Sequence, residues 1–341
     1  MLGKKEISII FVWNLLISVI TVIMKTLIVL KPIALIVIIF LTFSCQSKKE
    51  LNPGEGFISV TGGKVWYKIV GDGNKTPILI LHGGPGATSY YLKPLEALSK
   101  DRPIIFFDQL GCGRSTLDMD TSQMNIKFYV DEVDQVKKAL GLKDFYLYGQ
   151  SWGTILGAEY FFAHPEGVKG IILASPALSG KLWIRDAKIL LKQLPDSLQQ
   201  IIHKYEEEKS FDAPEYQKAL MVYYKRHIAR KLPWSPDIDS TFMYLGEPVY
   251  VYMNGPSEFT FTGTMQNYDA TNKLPQIDIP SLFICGEYDE ARPETTKYYA
   301  DLVPNSRFKV IKNAAHMTMQ DNPEEDLKAI TDFINSIEKN K

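Results

Sequence analysis

The stretch Phe145-Tyr146-Leu147-Tyr148-Gly149-Gln150-Ser151-Trp152-Gly153 decides how this chain is expected to fold. Four apolar residues predict a short buried strand, and the G-x-S-x-G sequence that follows is typical of a tight turn between a strand and a helix. The helix should continue to about His164, because Pro165 cannot lie inside it. Such a turn raises the serine hydroxyl above the end of a parallel sheet, so Ser151 is the candidate nucleophile.

Short apolar runs alternate with helical patterns along most of the chain. They suit strands that are buried on both faces of a sheet. The runs occupy residues 78–81, 104–107, 145–148, 171–174, 282–285 and 308–311. Between them, residues 126–140 carry Val130, Val133 and Val136 on one apolar helical face. This alternation predicts an α/β fold with a doubly wound, mostly parallel sheet, preceded by a hairpin over residues 56–71.

The alternation stops between residues 178 and 274, which contain helical patterns, prolines and aromatic residues but no clear buried strand. An insertion at this point of such a sheet would lie above the strand ends from which Ser151 emerges. We therefore interpret residues 178–274 as a helical cap that shapes the substrate pocket. Residues 56–177 and 275–341 then form the first and second parts of the α/β core.

Residues 1–45 are not expected to belong to the fold, because most of them are apolar. One interpretation is a pair of short membrane segments. The other is a secretory signal that begins at Met24, with a basic start, an apolar core and a small residue before the cleavage site. Cys45 would follow the cut and carry a lipid, and residues 46–55 would form a tether. This layout favours an exported lipoprotein of a bacterial cell envelope, anchored in the membrane, over permanent membrane helices.

The bulk composition excludes some partners and cofactors. A formal net charge of −1, with no basic block in the folded part, argues against nucleic acid. The spacing of the cysteines, Cys45, Cys112 and Cys285, suggests no disulfide framework. The sequence shows no convincing cluster of metal-ligating residues, so we expect neither a metal nor another cofactor.

A nucleophilic serine needs a base, and the base needs a carboxylate that orients it. His316 is the candidate base, because it follows the last predicted strand of the core. Asp289 is the candidate acid, since it lies in the loop after the preceding strand, and Glu287 in the same loop stays an alternative. The resulting order of serine, acid and histidine is the one found in α/β hydrolases.

A tetrahedral intermediate also needs backbone N–H donors. The residue after the nucleophile, Trp152, should supply one of them. The other should come from the glycine-rich segment His82-Gly83-Gly84-Pro85-Gly86, in which Gly84 is the best candidate. We interpret His82 as a residue that supports this loop through hydrogen bonds.

From about Gly56 to its C-terminus, the chain resembles the proline iminopeptidase family of serine peptidases. Three segments carry the resemblance, namely residues 82–86, 108–115 and 149–153. The resemblance implies the α/β-hydrolase fold with an inserted helical cap. It also implies a serine aminopeptidase that works without a metal or another cofactor.

The segment Met253–Phe259 is similar to the cap of the tricorn-interacting aminopeptidase of archaea, a member of this family. The loop Gly286–Glu290 is similar to the acid loop of the same enzyme. This resemblance implies that Glu258 and Glu290 bind the free α-amine of the substrate. A partly dry pocket that binds an ammonium group needs carboxylate partners, and it rejects substrates that lack the charge.

The sequence therefore predicts an aminopeptidase that releases an N-terminal proline, or a small or apolar residue, from short peptides through an acyl-enzyme. An esterase or amidase with the same fold and a non-peptide substrate is one alternative. A non-enzymatic binding lipoprotein is the other. The expected partners are short peptides and, through Cys45 or the apolar N-terminal segment, a membrane.

Overall fold

The computed structural model describes residues 11–25 and 51–339. Residues 11–25 form an exposed helix, α1. No helix in these two ranges combines the length and the apolar character that crossing a membrane requires. Cys45 and residues 46–50 of the predicted tether lie outside the described residues.

An eight-stranded sheet forms the centre of the region after residue 51. Its strands are β1 (Gly54–Val60), β2 (Gly63–Val70), β3 (Ile78–Leu81), β4 (Ile104–Phe107), β5 (Phe145–Gln150), β6 (Val168–Ala174), β7 (Ser281–Gly286) and β8 (Ser306–Ile311). They lie in the order β1-β2-β4-β3-β5-β6-β7-β8, and only the β1–β2 and β2–β4 pairs are antiparallel. Each of the predicted apolar runs is a strand of this sheet.

The central strands are buried on both faces. Every residue of β3, β4, β5 and β7 is buried. Along β3, Leu79 and Leu81 belong to one hydrophobic cluster, whereas Ile78 and Ile80 belong to a second cluster. Because successive side chains of a strand point to opposite faces, each face of the sheet has its own hydrophobic layer. The prediction of a doubly wound α/β sheet is confirmed.

Helices follow most strands and cover the sheet. They are α2 (Ile126–Leu140), α3 (Trp152–Ala163), α4 (Gly180–Leu191), α5 (Asp196–Glu208), α6 (Pro214–His227), α7 (Pro236–Met243), α8 (Glu247–Met253), α9 (Pro293–Leu302), α10 (Thr318–Asp321) and α11 (Pro323–Glu338). The ends of α2 have local causes. The Asn125 side chain accepts a hydrogen bond from the Phe128 N–H at 3.0 Å, and Gly141 ends the helix with a φ of 71°.

The insertion between β6 and β7 contains α4 to α8. The helical patterns expected within residues 178–274 are thus present as helices. Part of the insertion has a hydrophobic cluster of its own. Its buried members are Leu190, Leu191, Leu194, Ile202, Tyr216, Ala219, Leu220 and Tyr223. This cluster is separate from the two hydrophobic layers on the sheet, although Tyr224 packs against both this cluster and one of those layers.

Candidate active site

Ser151 lies in a strained turn between β5 and α3. Its φ of 54° and ψ of −122° are unusual for a residue with a side chain, and its N–H donates to the Ala174 carbonyl at 3.0 Å. The flanking glycines allow the turn to close. A Cβ on Gly149 would collide with the Gly153 carbonyl oxygen, and one on Gly153 would collide with the Leu81 carbonyl oxygen. The G-x-S-x-G sequence is therefore required sterically.

Asp289 and His316 meet at the carboxyl ends of β7 and β8. Asp289 Oδ1 lies 2.7 Å from His316 Nδ1, and Asp289 is only 1% exposed. The same carboxylate accepts backbone N–H groups from Gly286 at 3.1 Å and Ala291 at 2.8 Å. Glu287, the alternative acid, is exposed and instead accepts a hydrogen bond from the Asn313 N–H. The geometry thus favours Asp289 as the partner of the histidine.

The residue before Ser151 connects the turn to the histidine loop. Gln150 Nε2 donates to the His316 carbonyl at 3.1 Å. In the described part of the chain, Ser151 Oγ makes no hydrogen bond to His316. Such a contact commonly tightens only when substrate is bound, and the shared hydrogen bond keeps the two loops together until then.

Ser175 is a site residue that the sequence analysis missed. Its hydroxyl lies 2.6 Å from Asp289 Oδ2 and 2.9 Å from the His316 carbonyl oxygen, so it bridges the acid and the base. It follows β6 directly and has a φ of 50°. A serine at the end of a predicted core strand was the signal that could have identified it.

The glycine-rich loop packs directly against the nucleophile. A Cβ on Gly83 would lie 2.7 Å from Gln150 Oε1 and 3.1 Å from Ser151 Cβ, so a larger residue would displace a neighbour. The Gly83 N–H already donates to the Tyr91 hydroxyl at 2.8 Å. Among the described residues, the N–H groups of Gly84 and Trp152 have no hydrogen-bond partner. These two donors are therefore free to bind an oxyanion beside Ser151.

Glu290 lies beside the same histidine. Its Oε1 is 3.7 Å from His316 Nε2, and the residue is 4% exposed. Within the described ranges, its Oε2 has no hydrogen-bond partner. Burial, with the nearby carboxylates of Glu258 and Asp289, raises the pKa of Glu290 well above its usual range. A buried acid with a free oxygen is ready to accept a positively charged donor.

Glu258 completes a pair of carboxylates at this place. It is partly buried and accepts a hydrogen bond from the Tyr250 hydroxyl at 2.5 Å. Burial raises the pKa of Glu258, while the Tyr250 hydroxyl and the nearby His316 oppose the shift. The structure thus brings Glu258 from the insertion to Glu290 and His316 from the core. The described residues contain no cluster of ligands that could hold a metal ion.

Aromatic residues of the insertion line the same place. The Trp183 ring packs edge-on against His316, with 5.9 Å between the ring centroids. Tyr223 packs on Phe259 at 4.9 Å, and the Trp183 Nε1 and the Tyr223 hydroxyl are buried without a partner in the described part of the chain. These side chains form an apolar wall with free donors next to the carboxylates. The sequence shows that the insertion is rich in aromatic residues, but no motif singles out Trp183 or Tyr223.

Comparison with known proteins places this geometry in a family. A sequence model of the α/β hydrolase fold matches residues 76–323. The proline iminopeptidase of Heyndrickxia coagulans is 45% identical over 286 residues, which cover 83% of this chain and 99% of that enzyme. The chain belongs to the proline iminopeptidase family. The resemblance seen in the sequence is thereby confirmed.

Another relative and two solved structures are also similar to this chain. The proline iminopeptidase of Saccharolobus solfataricus is 32% identical over 84% of this chain and 94% of its own length. The crystal structure of the Mycobacterium smegmatis proline iminopeptidase has a TM-score of 0.78 and 30% identity, and it covers 83% of this chain and 98% of that one. The crystal structure of VinJ has a TM-score of 0.81 and 34% identity, with 84% and 100% of the two chains covered.

Proposed function

We propose that the protein is a serine aminopeptidase that removes one N-terminal residue from short peptides. Proline, or another small or apolar residue, is the preferred first residue. The curated relatives are named proline iminopeptidases, and they align with this chain over nearly their whole length. The arrangement of a serine, a histidine and a buried aspartate supplies the chemistry that such a reaction needs.

The mechanism assigns one step to each group. Ser151 attacks the first peptide carbonyl while His316 accepts its proton, and Asp289 orients the imidazole and stabilises its charged form. The N–H groups of Gly84 and Trp152 stabilise the oxyanion. His316 then protonates the leaving amine. Water, activated by the same histidine, attacks the acyl-enzyme and releases the amino acid.

The pair formed by Glu258 and Glu290 is the feature that supports an aminopeptidase over other hydrolases. Two carboxylates close together in a poorly hydrated place repel each other unless a cation or a proton lies between them. The ammonium group of a peptide N-terminus supplies that cation and satisfies the free oxygen of Glu290. An ester or amide without an amine leaves both carboxylates uncompensated and is therefore a poor substrate.

Two matched substrates test this proposal with the full-length protein. Proline 2-naphthylamide carries the free amine, and its N-acetyl derivative does not. We expect the free amine to be cleaved at least about 100-fold faster, and Glu290→Gln to remove most of that preference, because one unpaired buried charge costs a few kcal/mol. Equal rates on the two substrates in the wild-type enzyme would instead indicate an esterase or amidase of broader specificity.

We further propose that the protein is exported and anchored by a lipid on Cys45. The support is the order of a basic start, an apolar run and a cysteine near the end of the leader. Expression in a bacterium with radiolabelled palmitate checks this idea. Label in the wild-type protein and none in Cys45→Ala supports the anchor, whereas an unlabelled wild-type protein excludes it.

A further inference from the structure

Gln109 is a buried side chain that the mechanism above does not use. It is 1% exposed and lies two residues after the end of β4. Its Oε1 accepts a hydrogen bond from the Trp152 indole Nε1 at 2.8 Å, and its Nε2 donates to the His82 carbonyl at 3.2 Å. Trp152 supplies one proposed oxyanion donor through its backbone. His82 begins the loop that supplies the other.

The sheet order makes this bridge unusual. β3 lies between β4 and β5, so Gln109 at the end of β4 reaches past the end of β3 to the turn after β5. One amide thereby joins the carboxyl ends of three neighbouring strands. The amide can do so because its oxygen accepts from the indole and its nitrogen donates to the His82 carbonyl.

The ring of His82 strengthens the same connection. Its Nε2 accepts the backbone N–H of Gln109 at 2.9 Å, so the proton is on Nδ1, which lies 2.9 Å from the Gly83 carbonyl oxygen. Burial lowers the pKa of His82, which keeps the ring neutral, as these partners require. The imidazole thus fixes the backbone directly before Gly84.

We propose that Gln109 is a positioning residue that sets the separation between the Gly84 and Trp152 N–H groups. Oxyanion donors stabilise the transition state only when they are held in place before the reaction. The substrate amine binds elsewhere, at the carboxylate pair, so loss of the bridge should change kcat and leave KM almost unchanged. This inference rests on the proposed function in requiring acyl transfer to Ser151, but it does not require an amine on the substrate.

The test uses full-length Gln109→Met and Trp152→Phe, which remove the amide and the indole donor in turn. Gln135→Met is the matched control, because the Gln135 side chain also joins two segments, through Thr61 and Asp131, away from the site. Each enzyme is assayed on proline 2-naphthylamide and on 4-nitrophenyl acetate. We expect Gln109→Met to lower kcat on both substrates by about 10- to 100-fold, with KM and the control within about twofold of wild type.

Inhibition separates transition-state binding from ground-state binding. The boronic acid analogue of proline forms a tetrahedral adduct with the serine, whereas free proline does not. We expect Gln109→Met to raise the inhibition constant of the boronic acid by at least about tenfold and that of free proline by less than about twofold. The Gln109 and Trp152 side chains act through one hydrogen-bonded bridge. The kcat of the double variant, Gln109→Met with Trp152→Phe, should therefore fall no further than the kcat of the more impaired single variant.

The proposal is overturned if folded Gln109→Met keeps the wild-type kcat on the ester, or if it weakens both inhibitors equally. If Gln109→Met does not fold, Trp152→Phe decides the question, since an unchanged kcat there contradicts the bridge and a reduced kcat supports it. A wild-type enzyme that cleaves the ester but not the prolyl amide would contradict the proposed function alone, because the ester still reports on the oxyanion donors.

Discussion

Glu290 Oε1 and His316 Nε2 are 3.7 Å apart, so the carboxylate proposed to bind the amine is a direct neighbour of the proposed base. In an amino acid, a single Cα separates the amine from the carbonyl carbon. A substrate whose amine contacts Glu290 therefore places its first carbonyl, and no later one, near Ser151. This proximity explains why the site should cleave after one residue and not within a peptide.

The two carboxylates should contribute unequally. Glu290 is almost completely buried with a free oxygen, whereas Glu258 is more exposed and already accepts a hydrogen bond from Tyr250. We expect Glu258→Gln to lower kcat/KM for proline 2-naphthylamide by about tenfold and Glu290→Gln by about 100-fold or more. Activity on 4-nitrophenyl acetate is the control. A larger loss in Glu258→Gln would contradict this ranking.

The raised pKa of Glu290 predicts a pH dependence that only amine substrates show. Burial and the carboxylates of Glu258 and Asp289 favour the protonated form. A protonated Glu290 cannot pair with an ammonium group, so binding is lost as the pH falls through this raised pKa and is present above it.

The ratio of kcat/KM for proline 2-naphthylamide to that for 4-nitrophenyl acetate measures this effect, because steps shared by both substrates cancel. The ratio should rise with pH in a range above the ordinary glutamate value of 4.5, and the rise should disappear in Glu290→Gln. A ratio that is constant from about pH 5 to about pH 8 would exclude a role for this carboxyl group.

Glu132 on α2 should make the fold less stable at alkaline pH. Burial raises its pKa from 4.5 to about 8, while the hydrogen bond from the Leu110 N–H opposes the shift. Below pH 4.5 the folded and unfolded states are both protonated. Above it the unfolded chain ionises first, so stability falls until the folded state also ionises near pH 8.

Glu132→Gln removes this ionisation and should therefore melt at a higher temperature than wild type near pH 8, with a smaller difference near pH 5. The free energy of unfolding should increase by at most ~5 kcal/mol. This limit follows from the rise in pKa from 4.5 to about 8, since one pKa unit corresponds to about 1.4 kcal/mol. Asp131→Asn, a change of the same charge at a more exposed position of α2, is the control. A difference in melting temperature between wild type and Glu132→Gln that is the same at every pH would refute the prediction.

Gly83 and Gly157 form a matched pair for testing the loop beside the nucleophile. A Cβ on Gly83 would lie 2.7 Å from Gln150 Oε1 and 3.1 Å from Ser151 Cβ, whereas one on Gly157 in α3 meets nothing closer than 3.7 Å. We expect Gly83→Ala to lower kcat by about tenfold or more by displacing the oxyanion loop. Gly157→Ala should leave kcat unchanged, and an equally active Gly83→Ala would show that the loop adapts.

Local patterns were sufficient to predict the core. The strands of the sheet are apolar runs, and α2 has an apolar face between a capping Asn125 and Gly141. The residues that determine each of these elements therefore lie within the element or directly beside it. Asp289 and His316 follow two such strands, which made their contact predictable.

The other half of the pocket could not be predicted in this way. Trp183 and Tyr223 reach the site from an insertion whose helices pack partly against one another, and no local pattern shows which side chain points inward. Glu258 was found only through the resemblance to a known family. His227 lies at the end of α6, and its carbonyl accepts the His316 backbone N–H at 3.1 Å.

Labelling with a diphenyl phosphonate analogue of proline tests the central claim most directly. The reagent needs a nucleophilic serine and a pocket that binds an amine, and peptide mass spectrometry locates the adduct. The account predicts a single adduct on Ser151, protection by free proline, and neither adduct nor prolyl naphthylamide cleavage in Ser151→Ala. An adduct on another residue, or wild-type activity in Ser151→Ala, would contradict it.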